Sequence, residues 1–324
     1  MCTCMTYQGP DFYFGRNLDL DCGFGEKVVI TPRNYRFCFH DGKTTDHHYA
    51  MIGMAAVMDD YPLYAEAVNE KGLCMAGLYF PGNAVYRSEQ EGAVNLAVYE
   101  FIPYILTACS SVKEVESLLG KINLTGHPFR DDVPPAPLHW MISDDTGSLT
   151  VEPEARGLKI YKNEAGVLTN NPPFPWHVTN LNNYLHLSAD APQNQFAKDL
   201  QLQAFSQGMG AAGLPGDASS SSRFVKTVFL KYNSSRTENE PDAVTQFFHI
   251  LDNVSMVKGS VRTPENKEDR TVYSCCVNAD RGIYYFKTYE NAQISAVSLC
   301  HENLEQKDLV FYELFRQQKI CYVN

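Results

Sequence analysis

The residue whose chemistry is easiest to name stands second, in Met1-Cys2-Thr3. Initiator methionine is normally removed when a small residue follows it. Removal here leaves Cys2 with a thiol and a free α-amino group. A free cysteine titrates near ~8.5 and an α-amino group near ~7.7–8.0, so nucleophile and base would share one residue. An N-terminal amine beside a nucleophilic side chain is a known means of activating it. Arg16 and Asp19 follow in Phe14-Gly15-Arg16-Asn17-Leu18-Asp19. On a surface such a pair is worth only ~0–1 kcal/mol. Here Phe12, Phe14, Leu18 and Leu20 place the strand in the interior, where an arginine and an aspartate need partners. A thiolate and an ammonium satisfy both: Arg16 lowers the thiol pKa, and Asp19 accepts from the α-amino group and orients it.

These residues need a scaffold that returns residues 16 and 19 to residue 2. Gly9-Pro10-Asp11 supplies a tight turn between runs 2–8 and 12–19, which makes them a hairpin. Further short aromatic and β-branched runs at 27–31, 36–40, 49–57 and 73–80 read as strands of an antiparallel sheet. A second set falls at 138–144, 148–152, 157–162 and 166–170, and a third at 271–278, 282–289 and 293–299. Residues 95–109 are apolar nearly all round and read as a buried helix. Residues 111–122 open with Ser111 and carry Glu114 three places on, a capping box. Later helices are expected at 176–187, 220–232 and 242–254, the last with Pro241 in its first turn. Strands and helices in separate blocks indicate an α+β protein, and two sheets covered by helices, αββα, fit the order. No repeat or linker divides residues 1–324, so a single domain is expected, and 207–222 reads as a loop within it.

The chain has 324 residues, 44% hydrophobic and 20% charged, the composition of a globular protein with a sizeable core. Its net charge of −11 disfavours nucleic acid and anionic membranes as partners. No apolar run approaches the ~18 residues of a membrane span, and no basic-then-apolar leader opens the chain; a cytoplasmic location is expected. Ten cysteines, with no Cys-x-x-Cys pair, indicate reduced thiols rather than a zinc ribbon or a disulfide framework. Gly208-Met209-Gly210-Ala211-Ala212-Gly213 matches the dinucleotide fingerprint, but Leu214-Pro215-Gly216-Asp217 follows at once and stops the helix that motif requires. Asp46-His47-His48 reads as a solvated polar turn with no third ligand at a recognisable spacing, and no metal is expected.

Taken together, Met1-Cys2-Thr3 and Phe14-Gly15-Arg16-Asn17-Leu18-Asp19 closely resemble the choloylglycine hydrolase family, which comprises bile salt hydrolases and penicillin V acylases. The resemblance runs through Asn69-Glu70-Lys71-Gly72-Leu73, Leu138-His139-Trp140-Met141, Gly166-Val167-Leu168-Thr169-Asn170, Ser222-Arg223-Phe224 and Thr288-Tyr289-Glu290-Asn291, essentially the whole chain. It implies an N-terminal-nucleophile hydrolase sandwich that cleaves conjugated bile salts without a cofactor. Cys2 is then the nucleophile, with Arg16, Asp19, Tyr79, Asn170 and Arg223 around it. The Asn170 amide and the Tyr79 backbone N–H would stabilise the oxyanion, a role worth ~2.7–4 kcal/mol per donor.

One position departs from the bile salt hydrolase pattern. Those enzymes typically read Gly-Leu-Asn-Phe, whereas this chain reads Gly77-Leu78-Tyr79-Phe80, as penicillin V acylases do. Penicillin V acylase is therefore the alternative activity, and a catalytically idle binding module is a second. Leu20, Phe24, Ala65, Phe129 and Leu138 are the expected walls of an apolar substrate groove. The resemblance also implies a homotetramer, with 186–215 as the segment that reaches a neighbouring subunit.

Overall fold

Strands Cys2–Gln8 and Phe12–Leu20 pair antiparallel, with Cys2 opposite Leu18 and Cys4 opposite Arg16, in the computed structural model, which describes residues 1–324. They form the middle of a seven-stranded sheet. Val167–Leu168 flanks one side, and Glu268–Asn278, Ile283–Thr288 and Asn291–Ser298 follow on the other. Gly15 lies where this sheet is tightest. A Cβ there would come within 2.1 Å of the Cys275 carbonyl oxygen, so the two strands can pair only past a glycine.

An eight-stranded sheet faces the first, in the order Gly157–Lys162, Gly147–Glu154, Leu138–Asp144, Cys74–Tyr79, Tyr61–Asn69, Met51–Met58, Lys27–Thr31 and Val310–Tyr312. Helices Ser220–Asn233 and Glu240–Asp252 lie against the first sheet, and Phe101–Ala108 and Val112–Leu119 against the second. One apolar cluster joins the sheets and continues to Phe224 and Phe247 on the outer helices. A second joins Leu73, Met75, Trp140 and Val151 to Phe101, Ile105 and Leu119. The layering is the expected αββα. Residues buried on both faces of the central strands explain their unbroken apolar runs.

Four local differences from the sequence reading have physical causes. Tyr61–Asn69 is a central strand that the sequence reading did not include. The turn before it uses Asp59 and Asp60 at φ 49° and 58°, a left-handed pair usually marked by glycine. The expected helix over 95–109 begins instead as strand Val94–Ala97, paired in parallel with Ile122–Thr125, passes through a 3-10 turn at Val98–Glu100 and becomes α-helical only at Phe101. In the Ser111 cap, Ser111 Oγ accepts from Glu114 N (3.4 Å), while the Glu114 carboxylate accepts from Ser110 N (2.7 Å) rather than closing the reciprocal box. His48 is not solvated: it is buried, with its ring nitrogens 2.8 Å from the Tyr49 and Tyr35 carbonyl oxygens.

The glycine-rich run at 208–213 forms a short 3-10 turn with no strand before it. A Cβ on Gly210 would come within 1.9 Å of the Asp190 carbonyl, so close backbone approach accounts for that glycine. All ten cysteines are free thiols; Cys2, Cys4, Cys74, Cys109, Cys275 and Cys276 are buried and the other four exposed.

Candidate active site

Strand pairing puts Cys2 and Cys4 on the same face as Leu18 and Arg16, turned toward the second sheet. Thr3 takes the opposite face and meets Arg223, whose Nη1 donates to Thr3 Oγ1 at 2.5 Å. The same Nη1 donates to the Cys2 carbonyl, Nη2 donates to Asn170 Oδ1 at 2.8 Å, and Nε donates to the Ala218 carbonyl at 3.0 Å. Arg223 can reach this point because it lies in the first turn of Ser220–Asn233. Ser219 caps that helix, and Asp217 accepts from Ser219 N (2.9 Å) and Ser222 Oγ (2.6 Å). Those serine hydrogen bonds hold the Asp217 carboxyl down at about 2.

Asn170 is the hub between the layers. Its Oδ1 accepts from Cys2 N at 2.8 Å, and its Nδ2 donates to the Tyr79 carbonyl at 2.7 Å. One Nδ2 hydrogen therefore ties strand Cys74–Tyr79 to the N-terminus, leaving the other for a developing oxyanion. The Asn170 backbone is fixed as well: its N–H donates to Ser220 Oγ at 2.8 Å, and His177 Nε2 donates to its carbonyl at 2.9 Å. His139 supports the preceding residue, with Nε2 2.9 Å from the Thr169 carbonyl and Nδ1 3.0 Å from buried Glu152. Its ring lies flat on Phe80, centroids 4.2 Å apart. The Tyr79 side chain is 43% exposed at its strand end.

Arg16 has a partner that the sequence reading missed. Its Nη1 donates to the Gly77 carbonyl at 2.5 Å and lies 3.6 Å from Glu66 Oε2, with both side chains buried. Glu66 also accepts from Tyr273 Oη at 2.8 Å and Tyr284 Oη at 2.5 Å. Burial raises the Glu66 carboxyl above its ordinary range, opposed by Arg16 and the two tyrosines. A buried guanidinium without such a counter-charge would be costly.

Asp19 pairs with Met1 through the backbone: Asp19 N donates to the Met1 carbonyl at 2.9 Å, and the Met1 ammonium donates to the Asp19 carbonyl at 2.6 Å. Its Oδ1 accepts from Thr271 Oγ1 at 2.6 Å, while Oδ2 is buried with no partner. Burial raises this carboxyl too, opposed first by Arg223 and then by the terminal ammonium. Cys2, Arg16, Asp19, Tyr79, Asn170 and Arg223 thus converge on one end of the sandwich.

Leu20, Phe24 and Ala65 are half-buried against the cluster between the sheets. Ala65 also offers its carbonyl to Arg16 Nη1 at 3.4 Å, and Leu138 is paired with Tyr79. Phe129 packs on Tyr61 and Tyr99 with ring centroids at 5.7 and 5.2 Å, on the side of the second cluster. A surface cleft of about 630 Å³, lined by Thr6, Asp144, Lys162 and Lys231 among others, contains none of the candidate residues.

Among known proteins, residues 2–312 match the linear amide C–N hydrolases of the choloylglycine hydrolase family, and the chain belongs to that family. The αββα sandwich is accordingly that of the N-terminal-nucleophile hydrolases. The chain is 46% identical over 324 residues, covering 100% of both chains, to the bile salt hydrolase/transferase of Lactiplantibacillus plantarum. It superposes on a variant of the conjugated bile acid hydrolase from Clostridium perfringens with a TM-score of 0.93 at 39% identity, again covering 100% of both chains. The penicillin V acylase of Agrobacterium tumefaciens matches with a TM-score of 0.75 at 21% identity, over 95% of this chain and 90% of that one, a likeness of fold.

Proposed function

We propose that the chain hydrolyses the amide between a bile acid and glycine or taurine, with Cys2 as the nucleophile once Met1 is removed. Full-length identity to a bile salt hydrolase/transferase supports the substrate class. The observation that carries the mechanism is the setting of the Cys2 nitrogen. Asn170 Oδ1 already accepts from it at 2.8 Å, and buried Asp19 Oδ2 has no donor. An α-ammonium created at Cys2 brings the extra protons that Asp19 lacks.

The thiolate attacks the amide carbonyl carbon, and the resulting oxyanion is met by the remaining Asn170 Nδ2 hydrogen and the Tyr79 N–H. The C–N bond breaks as the Cys2 α-ammonium gives a proton to the departing glycine or taurine nitrogen. Water, deprotonated by the same amine, then attacks the thioester, releasing free bile acid and restoring the thiol. A free amine in place of water gives acyl transfer. Arg16 holds positive charge on the thiolate's side of the sheet, and Arg223 fixes the Cys2 carbonyl so that the amine stays in register. No step calls for a cofactor.

Leu20, Phe24, Ala65, Phe129 and Leu138 serve in this reading as apolar walls for the steroid, with Tyr79 at the mouth. The enzyme acts as one unit over 1–324, in the cytoplasm, as a homotetramer. Segment 186–215 supports that assembly, since its Phe196 and Phe205 are 89% and 88% exposed. Light scattering that returns a monomer mass at micromolar concentration refutes the assembly.

Incubation with glycocholate, taurocholate and penicillin V, with the released amine or penicillanic acid quantified, tests the activity. Conjugated bile salts are expected to exceed penicillin V in kcat/KM. Tyr79→Asn is expected to shift that ratio by no more than about tenfold, or ~1.4 kcal/mol. Preference for penicillin V, reversed by Tyr79→Asn, contradicts the substrate assignment.

A further inference from the structure

We infer that His40, Glu89 and His127 form a peripheral site for a divalent transition-metal ion of the zinc class, separate from the Cys2 centre. The three residues come from the turn after Phe37–Cys38, the loop before Val94–Ala97 and the loop after Ile122–Thr125. Parallel pairing of those last two strands, extended by a bridge between Arg87 and Thr125, draws the two loops together.

Glu89 Oε1 lies 3.2 Å from His127 Nε2 and 3.7 Å from His40 Nε2, and the two imidazole rings sit 4.7 Å apart. The ligand atoms of all three residues fall within 4.8 Å of one another. A tetrahedral zinc ion with bonds of ~2.0–2.2 Å separates its ligands by roughly 3.4 Å. The two closest spacings bracket that value, and the exposed Glu89 and His127 side chains can close the third. Imidazole with carboxylate is a donor set suited to zinc and its neighbours.

A second observation sets this cluster apart from ordinary surface groups. The His40 side chain is only 13% exposed, and its Nδ1 lies 2.7 Å from Glu100 Oε2. Glu100 is buried and also accepts from His40 N (2.5 Å) and Ala97 N (2.9 Å), so it is fixed as an acceptor. Nδ1 therefore donates to Glu100, and Nε2 faces Glu89. That Nε2 is buried with no hydrogen-bond partner. A ring nitrogen set against a carboxylate calls for a proton or a metal ion between them, and a second imidazole beside the pair favours the metal. A buried carboxylate behind the imidazole is also the usual second partner of a metal-bound histidine. Such an ion would fasten the loop that carries Phe129 to Glu100, immediately before helix Phe101–Ala108.

Equilibrium dialysis of the chelator-stripped full chain against Zn²⁺, with Co²⁺ absorption in parallel, tests the site. Wild type should bind about one ion per chain at micromolar concentration. His127→Ala and Glu89→Gln change exposed residues and should fold; each should weaken binding by about 100-fold or more. The Cys2→Ala chain should bind as wild type does, and the cobalt spectrum should show no thiolate charge-transfer band. Equal binding by wild type and both site variants, a thiolate band, or loss of the ion in Cys2→Ala would overturn the proposal. So would the absence of saturable binding, which leaves a proton shared by His40 and Glu89.

Discussion

The eight-stranded sheet has an outer face built from different materials than the region around Cys2. Its outer face, under Phe101–Ala108 and Val112–Leu119, is an apolar layer in which Phe101 meets Trp140 edge-on at 4.8 Å. The region around Cys2 instead buries Arg16, Glu66, Asn170 and Arg223, drawn from both sheets, a loop and an outer helix, among hydrogen bonds that cross between elements. The apolar layer derives stability from area removed from water and tolerates small shifts. The polar region gains little net stability, because each buried charge gives up its hydration. What it gains is geometry: its guanidinium and amide donors are held on fixed acceptors. Stability and catalysis should therefore separate when the two regions are damaged one at a time.

The largest effect should follow Cys2→Ala, with turnover abolished and the circular dichroism spectrum unchanged, since the substitution removes one sulfur from a packed strand. Arg223→Met comes next. It removes the guanidinium from the Cys2 carbonyl, one of two donors from Asn170 Oδ1 and the nearby positive charge from buried Asp19, and should cost about 3–5 kcal/mol in denaturant titration while lowering kcat by about 100-fold. Phe101→Ala should cost a similar ~3–5 kcal/mol, yet leave kcat/KM of the folded enzyme within about threefold. If Phe101→Ala instead lowers kcat as Arg223→Met does, the separation of the two regions fails.

Glu66→Gln should have the smallest effect, about 1–3 kcal/mol, with a diagnostic pH dependence. Burial raises the Glu66 carboxyl, so the folded chain holds that proton more tightly than the unfolded chain. Its stabilising contribution is complete below the ordinary glutamate value near ~4.3 and declines as pH rises from there to the raised value. The amide of the variant does not titrate in this range, so the penalty of the substitution should shrink between pH 4 and pH 7. Denaturant midpoints for both chains at the two pH values measure this.

The sequence made the hairpin legible because Gly9-Pro10-Asp11 fixes its register, which brings Arg16 and Asp19 to Cys2. Asn170 and Arg223, more than 150 residues away, came only through family resemblance, since no local periodicity relates a loop and a helix end to a strand. Glu66 was hidden for another reason. Its strand follows a left-handed Asp59-Asp60 turn that carries no glycine signal, and a bulge between Met54 and Ala55 breaks the register of the adjoining pair. His139, Glu152 and His177 act through the Thr169–Asn170 backbone. In sequence they are indistinguishable from core polar residues, and only Leu138-His139-Trp140 had drawn notice.

Intact-mass analysis of the enzyme, quenched in acid during turnover of glycocholate, tests the central claim most directly. The account predicts a chain lacking Met1 that carries a transient cholyl adduct, mapping to the N-terminal peptide and released by hydroxylamine as a thioester would be. Full turnover by a chain that retains Met1, or an adduct on any residue other than Cys2, would contradict it.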